Sequence, residues 1–336
     1  MKKLTVILLA LVLMLAFAFT GCEDIIYDGS TDSEIAGSGE TSDNEGDNSG
    51  EASDGTSSDG QGSQGGEEVP EIIRANTLSD KWKDDGVLKI LLIGNSFTED
   101  TAEFAWEIAK SLGIENVVIG ILVIGGCSLN RHYESAIENI PDYSYRVKSE
   151  GKWVIKSQYI MSDALKADNW DAITIQQVSG LSGIAKSYGV LDKFIDFIVE
   201  KCPDAEIVWN CTWSYEDYAQ LDDFARYFRD QLVMYNAICN VAQTVVEKNS
   251  RIALIAPTGT AVQNARTAIG SDVSRDGHHL SYTGRYLAAL TYIHKITGLD
   301  ISKVEFSAGL PEATKQICIQ AAVNAVASPY SITAIN

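Results

Sequence analysis

The stretch Val87-Leu88-Lys89-Ile90-Leu91-Leu92-Ile93-Gly94-Asn95-Ser96-Phe97-Thr98 decides the fold. Its first seven residues are almost unbroken apolar, as in a strand covered on both faces, the kind found in parallel sheets under helices. Gly94-Asn95-Ser96 then reads as a turn, and a helical pattern begins near Thr98. Ser96 is therefore expected on a strand-to-helix turn, with its hydroxyl exposed and nearby backbone N–H groups pointing outward.

Working outward, the same alternation repeats along the chain. Strand-like runs are Leu88–Ile93, Val117–Ile124, Ala172–Gln176, Glu206–Asn210 and Ile252–Ala256. Helical patterns lie near Thr101–Leu112, Tyr159–Ala167, Leu191–Lys201, Leu221–Lys248 and Ala261–Ile269, and two more, Tyr282–Thr297 and Glu312–Ala327, close the chain. This predicts a three-layer α/β/α domain around a central parallel sheet of about five strands. Tyr143–Val147 and Lys152–Ile155, joined through Glu150-Gly151, read as an inserted β-hairpin. In such sheets ligands bind beyond the carboxyl ends of the strands. Ser96, Gly125-Gly126, Gln176-Gln177 and Trp213 each follow a strand and so fall on that one edge.

A second string, Asp276-Gly277-His278-His279-Leu280-Ser281, places a carboxylate three residues before an imidazole. A serine here also suits a helix cap, and an aspartate before glycine suits a turn. Together the two strings supply the parts of a nucleophilic hydrolase: Ser96 to attack, His279 to take its proton, Asp276 to orient the ring. His278 reads as exposed turn.

The chain ends bound the setting. Lys2 and Lys3, an apolar run from Leu4 to Phe19, and Thr20-Gly21-Cys22 read as an export signal over residues 1–22, with lipidation at Cys22. Residues 23–71 are rich in Gly, Ser, Asp, Glu, Thr and Asn, and hold 15 acidic residues with no Lys or Arg. Such a segment cannot fold on a core and reads as an extended tether. Of the 26 basic residues two lie in the signal, and of the 46 acidic ones 15 lie in the tether. Residues 72–336, the folded domain, therefore keep 24 and 31, a net of −7 out of the chain's −20. No basic stretch points to nucleic acid. Beyond Cys22, five cysteines at irregular spacings show no metal pattern and read as buried thiols. The expected location is the outer side of a cell membrane, held by a lipid on Cys22.

On the Gly94-Asn95-Ser96 and Asp276-x-x-His279 blocks, residues 87–300 resemble the SGNH, or GDSL-like, hydrolase superfamily, within a group of bacterial secreted lipoproteins. The resemblance implies a flavodoxin-like fold and ester hydrolysis without metal or organic cofactor. It also implies that Gly126, in Gly125-Gly126-Cys127-Ser128, and the Ser96 N–H bind the oxyanion. The superfamily's third block, Gly-x-Asn-Asp, is missing. Its place is taken by Gln176-Gln177-Val178-Ser179-Gly180, where Gln177 is expected to supply the lost amide donor. Asn95, Arg131, Trp213 and Tyr215 are the candidate pocket residues, and Tyr143, Tyr145 and Trp153 of the hairpin a candidate wall. The expected substrate is a small-molecule or polysaccharide ester, first of all an O-acetyl sugar. A lipid ester or thioester, or carbohydrate binding without hydrolysis, are the alternatives.

Overall fold

The computed structural model describes residues 74–335. The signal, Cys22 and the tether to residue 71 lie outside the described residues.

Val87–Gly94 forms β1, and its side chains alternate between two cores. Leu88, Ile90 and Leu92 enter one hydrophobic layer, and Leu91 and Ile93 the other. That double burial accounts for the continuous apolar run. The remaining strands are β2 (Asn116–Val123), β3 (Tyr143–Lys148), β4 (Trp153–Tyr159), β5 (Ala172–Ile175), β6 (Glu206–Asn210) and β7 (Ile252–Ala256). They form one sheet in the order β4-β3-β2-β1-β5-β6-β7. The strands β2, β1, β5, β6 and β7 pair in parallel. The hairpin does not stand apart: β3 continues the sheet antiparallel to β2, with Tyr145 opposite Leu122. From β1 the chain steps to β2 on one side and later returns to β5 on the other. Ser96 thus follows the strand at the topological switch, where doubly wound sheets open a crevice.

After a single α-helical turn at Trp82–Asp85, the helices are α1 (Ser96–Ala102), α2 (Ala105–Ser111), α3 (Leu129–Ile137), α4 (Met161–Leu165), α5 (Leu191–Lys201), α6 (Gln231–Val241), α7 (Thr258–Ile269), α8 (Tyr282–Thr297) and α9 (Glu312–Ala327). Three differences from the sequence expectation matter. The first helix begins at Ser96 itself, because the Asn95 side chain accepts the Phe97 N–H and caps it. Leu129–Ile137 is helical although its residues are mostly polar, with Ser128 as its cap. The pattern over 221–248 is broken at Phe228 and Arg229, whose φ angles are 58° and 55°; Asp230 then caps α6. Among the described residues no helix is long and apolar enough to cross a membrane. Cys127, Cys202, Cys211, Cys239 and Cys318 are free and buried.

Candidate active site

The turn that carries Ser96 is tightly specified. A Cβ on Gly94 would lie 2.1 Å from Thr98 Oγ1, so only glycine fits there. Asn95 follows with extended backbone (φ −136°, ψ −156°) and turns its side chain inward. Its Oδ1 accepts the Phe97 N–H at 3.0 Å and its Nδ2 donates to the Cys127 carbonyl at 3.1 Å. Being 2% exposed, Asn95 is a structural residue beneath the site and not part of a substrate pocket.

Asn95 is one member of a buried polar chain that crosses the strand ends. Gln176 Nε2 donates to Asn95 Oδ1 at 3.2 Å, and Gln176 Oε1 accepts from Asn210 Nδ2 at 3.1 Å. Thr258 Oγ1 in turn donates to Asn210 Oδ1 at 2.6 Å. The chain therefore links residues just after β2, β1, β5 and β7 with the last residue of β6. With all partners satisfied, such a network fixes position as well as adding stability.

Asp276 and His279 come from a short loop closed by a bridge between Ser274 and Leu280. Gly277, at φ 93°, makes the reversal that an L side chain would resist. Asp276 Oδ1 accepts the N–H groups of His278 and His279 at 3.1 and 2.8 Å, and its Oδ2 lies 2.8 Å from His279 Nδ1. His279 Nε2 lies 2.9 Å from Ser96 Oγ. The carboxylate can only accept, so Nδ1 carries the ring proton and Nε2 presents a lone pair to the serine hydroxyl. Burial works against the ionised Asp276, but hydrogen bonds from His279 and His278 outweigh it and hold the carboxyl at about 2. The structure thus brings together the three residues that the two sequence strings nominate, and their arrangement can pass a proton from Ser96 to His279.

Contacts from three other segments anchor this loop. Phe97 stacks on Trp213, with centroids 4.1 Å apart and 7° between planes, and meets the His279 ring edge-on at 5.9 Å. Trp213 Nε1 donates to the His278 carbonyl at 2.7 Å, and the Glu216 N–H donates to the Gly277 carbonyl at 2.8 Å. Asp100, one turn after Ser96 on α1 and 1% exposed, completes the hold. Its carboxylate accepts from the Leu280 N–H at 2.8 Å, Arg275 Nη1 at 2.9 Å and Arg285 Nε at 2.8 Å. The helix that carries Ser96 and the loop that carries Asp276 and His279 are thereby tied together.

Several expected roles change. Gln177 is 1% exposed and both ends of its amide are committed. Oε1 accepts the Leu129 and Val178 N–H groups at 3.0 and 2.9 Å, which fixes it as the oxygen. Nε2 then donates to Ser187, to O at 3.1 Å and to Oγ at 3.0 Å. Gln177 therefore clamps the start of α3 and is not placed as an oxyanion donor; Gln176 is committed in the polar chain. Trp213 and Tyr215 are each 1% exposed, so they support the site from within instead of lining a pocket. The Tyr215 hydroxyl bonds Ser179 Oγ at 2.7 Å and Asp223 Oδ2 at 3.3 Å. Arg131 is exposed and paired with Asp142 at 3.3 Å. Tyr143 and Tyr145 belong to the core. His278 is not a free turn residue: its Nδ1 lies 3.0 Å from Asp276 Oδ1. Gly126, at φ 61°, is exposed, and the N–H groups of Ser96 and Gly126 have no hydrogen-bond acceptor among the described residues. Sequence reasoning missed Asp100, because nothing local marks an aspartate whose partners lie 175 to 185 residues away.

Two measurements follow. Gln177→Ala should lower the melting temperature, since the buried Leu129 N–H loses its acceptor at about 1–3 kcal/mol and the half-buried Val178 N–H loses its own at less. Any rate on an ester should fall by less than about tenfold, well short of the loss of an oxyanion donor. For Asp276, the folded-state pKa lies below the ordinary 3.8, so its contribution to stability is present above that value and is lost as pH falls toward about 2. Melts of wild type and Asp276→Asn over that acid range should converge at the low end.

The fold is α/β, with a mixed, mostly parallel seven-stranded sheet. Residues 89–327 match the family described as a domain of unknown function, DUF4886, and the chain belongs to that family. A crystal structure of a DUF4886 family protein from Bacteroides uniformis is 34% identical, with a TM-score of 0.71 over 74% of this chain and 98% of that one. More distant is a putative SGNH hydrolase from Slackia heliotrinireducens, 20% identical, TM-score 0.41, covering 62% of this chain and 98% of that one. An acetylxylan esterase from Geobacillus stearothermophilus is 13% identical, TM-score 0.36, covering 67% of this chain and 97% of that one. No curated protein sequence matches the chain.

Proposed function

We propose that this protein is a serine ester hydrolase that removes acyl groups, acetyl first of all, from carbohydrate. The observation that carries the proposal is the continuous chain from Ser96 Oγ through His279 to Asp276, at 2.9 and 2.8 Å. In the proposed cycle His279 takes the Ser96 proton as the hydroxyl attacks the ester carbonyl, and Asp276 stabilises the imidazolium without itself taking the proton. The backbone N–H groups of Ser96 and Gly126 receive the oxyanion, the first aided by its position at the start of α1. His279 then returns the proton to the leaving alcohol, and water resolves the acyl-enzyme by the same route.

Acetylated sugar is favoured over a long acyl chain by the openness of the site. Gly125 and Gly126 are exposed, and Tyr218, 53% exposed, packs beside Gly277 on the acid–base loop. A tyrosine so placed offers an apolar face to a sugar ring. The sequence features at residues 1–71 place this activity, within the same proposal, outside the membrane on a lipid at Cys22. The test is hydrolysis of chromogenic acetate and long-chain esters and of acetylated xylan, with trapping by a serine-directed phosphonate. Acetate turnover and labelling at Ser96 are expected. Absence of both would favour carbohydrate binding without hydrolysis, and preference for the long chain would move the substrate to lipid.

A further inference from the structure

We propose that Asp276, His278 and His279 form a binding site for a divalent transition metal, zinc above all, and that its occupancy switches the site off. The second half of this statement rests on the hydrolase reading; the first does not. His278 Nδ1 lies 3.0 Å from Asp276 Oδ1 and His279 Nδ1 lies 2.8 Å from Asp276 Oδ2. The two imidazole rings are 3.8 Å apart between centroids, and one ligand atom from each of the three residues falls within 4.8 Å of the others. Zinc binds imidazole nitrogen and carboxylate oxygen at about 2.0–2.2 Å, so neighbouring donors around one ion stand about 3 Å apart. The resting loop therefore already holds these atoms near chelating distance.

The donor set and the access also fit. Two imidazoles and a carboxylate suit a borderline cation, and the open positions would be filled by water. Asp276, His278 and His279 have side chains 41%, 24% and 20% exposed, so an ion reaches them without unfolding the loop. Arg275, whose Nε is 3.8 Å from Asp276 Oδ2, opposes a cation there, but its guanidinium also contacts the buried carboxylate of Asp100 at 2.9 Å. Sequence spacing alone hid the set, because only the turn at Gly277 brings consecutive histidines onto one carboxylate.

The consequence for chemistry follows from the tautomer. An ion on His279 Nδ1 occupies the electron pair of that nitrogen, so the ring proton moves through solvent to Nε2 with no net proton released. Nε2 then donates toward Ser96 Oγ and can no longer accept the serine proton. The ion also withdraws Asp276 from its role of orienting the imidazole.

The test uses the full chain, with cobalt as a visible probe of binding and zinc as the inhibitor. In wild type, cobalt should produce visible absorption bands that saturate near one equivalent and vanish on adding zinc. Zinc should lower acetate-ester hydrolysis by at least about tenfold, and a chelator should restore it. His278→Ala and His278→Gln, each checked by melting, should lose the bands. The zinc concentration for half-inhibition, taken relative to each variant's own metal-free rate, should rise by at least about tenfold. Ser96→Ala should lack hydrolysis and keep the bands, which separates this proposal from the hydrolase reading. The acidic tether contains no histidine and cannot imitate nitrogen ligation. No bands in wild type, or equal zinc sensitivity in wild type and both His278 variants, overturns the proposal.

Discussion

Ser96→Ala is expected to lower ester hydrolysis by about ten-thousand-fold or more and to leave the fold intact. The two halves of that result have separate causes. The side-chain hydrogen bond of Ser96 runs to His279 Nε2, so the substitution removes the proposed nucleophile and little else. Capping of α1 comes from Asn95, so the helix keeps its N-terminus. Stability should therefore change by no more than about 0.5 kcal/mol. His279→Ala should cost a similar factor, and the double variant little more, because the two residues act as one unit. Equal steady-state rates in wild type and Ser96→Ala would reject the mechanism outright.

Asp100→Ala is expected to be the most damaging substitution outside Ser96, Asp276 and His279. It removes a buried carboxylate that receives Arg275, Arg285 and the Leu280 N–H. Breaking a buried ion pair from one side costs about 3–5 kcal/mol, and the lower end applies because Arg275 and Arg285 are 38% and 28% exposed. The loss should also reach the rate, since Asp100 joins α1 to the loop that carries Asp276 and His279. Where enough folded protein remains, kcat should fall while KM stays near its wild-type value, because Asp100 lies beneath the surface that a substrate meets. Asp100→Asn keeps an acceptor for Leu280 and should recover part of the stability. A variant that melts early yet retains full kcat would restrict Asp100 to the fold alone.

How much of this was legible in the chain depended on the distance over which each signal acts. The parallel sheet was legible because β1 must bury both faces, and the triad residues because each belongs to a short local string with its own turn chemistry. Gln177 was not. The direction of its amide is set by the Leu129 N–H, 48 residues away, at the start of a short, mostly polar helix that the sequence reading did not include. Trp213 and Tyr215 were legible as aromatic residues near the site, but their burial is decided by Phe97 and by Ser179 on other elements. The split of residues 221–248 turns on two consecutive left-handed residues, Phe228 and Arg229, neither of which advertises that conformation.

The amide and hydroxyl chain through Asn95, Gln176, Asn210 and Thr258 bears on how a hydrolase of the proposed kind could diversify. Each member both gives and receives, or bridges to a neighbour that does, so a change at one position leaves another buried group without its partner. The floor of the site is then a shared inheritance that resists piecemeal change. New specificities would have to be written above it, in the exposed surface around Gly125, Arg131 and Tyr218, where substitutions disturb no buried partner.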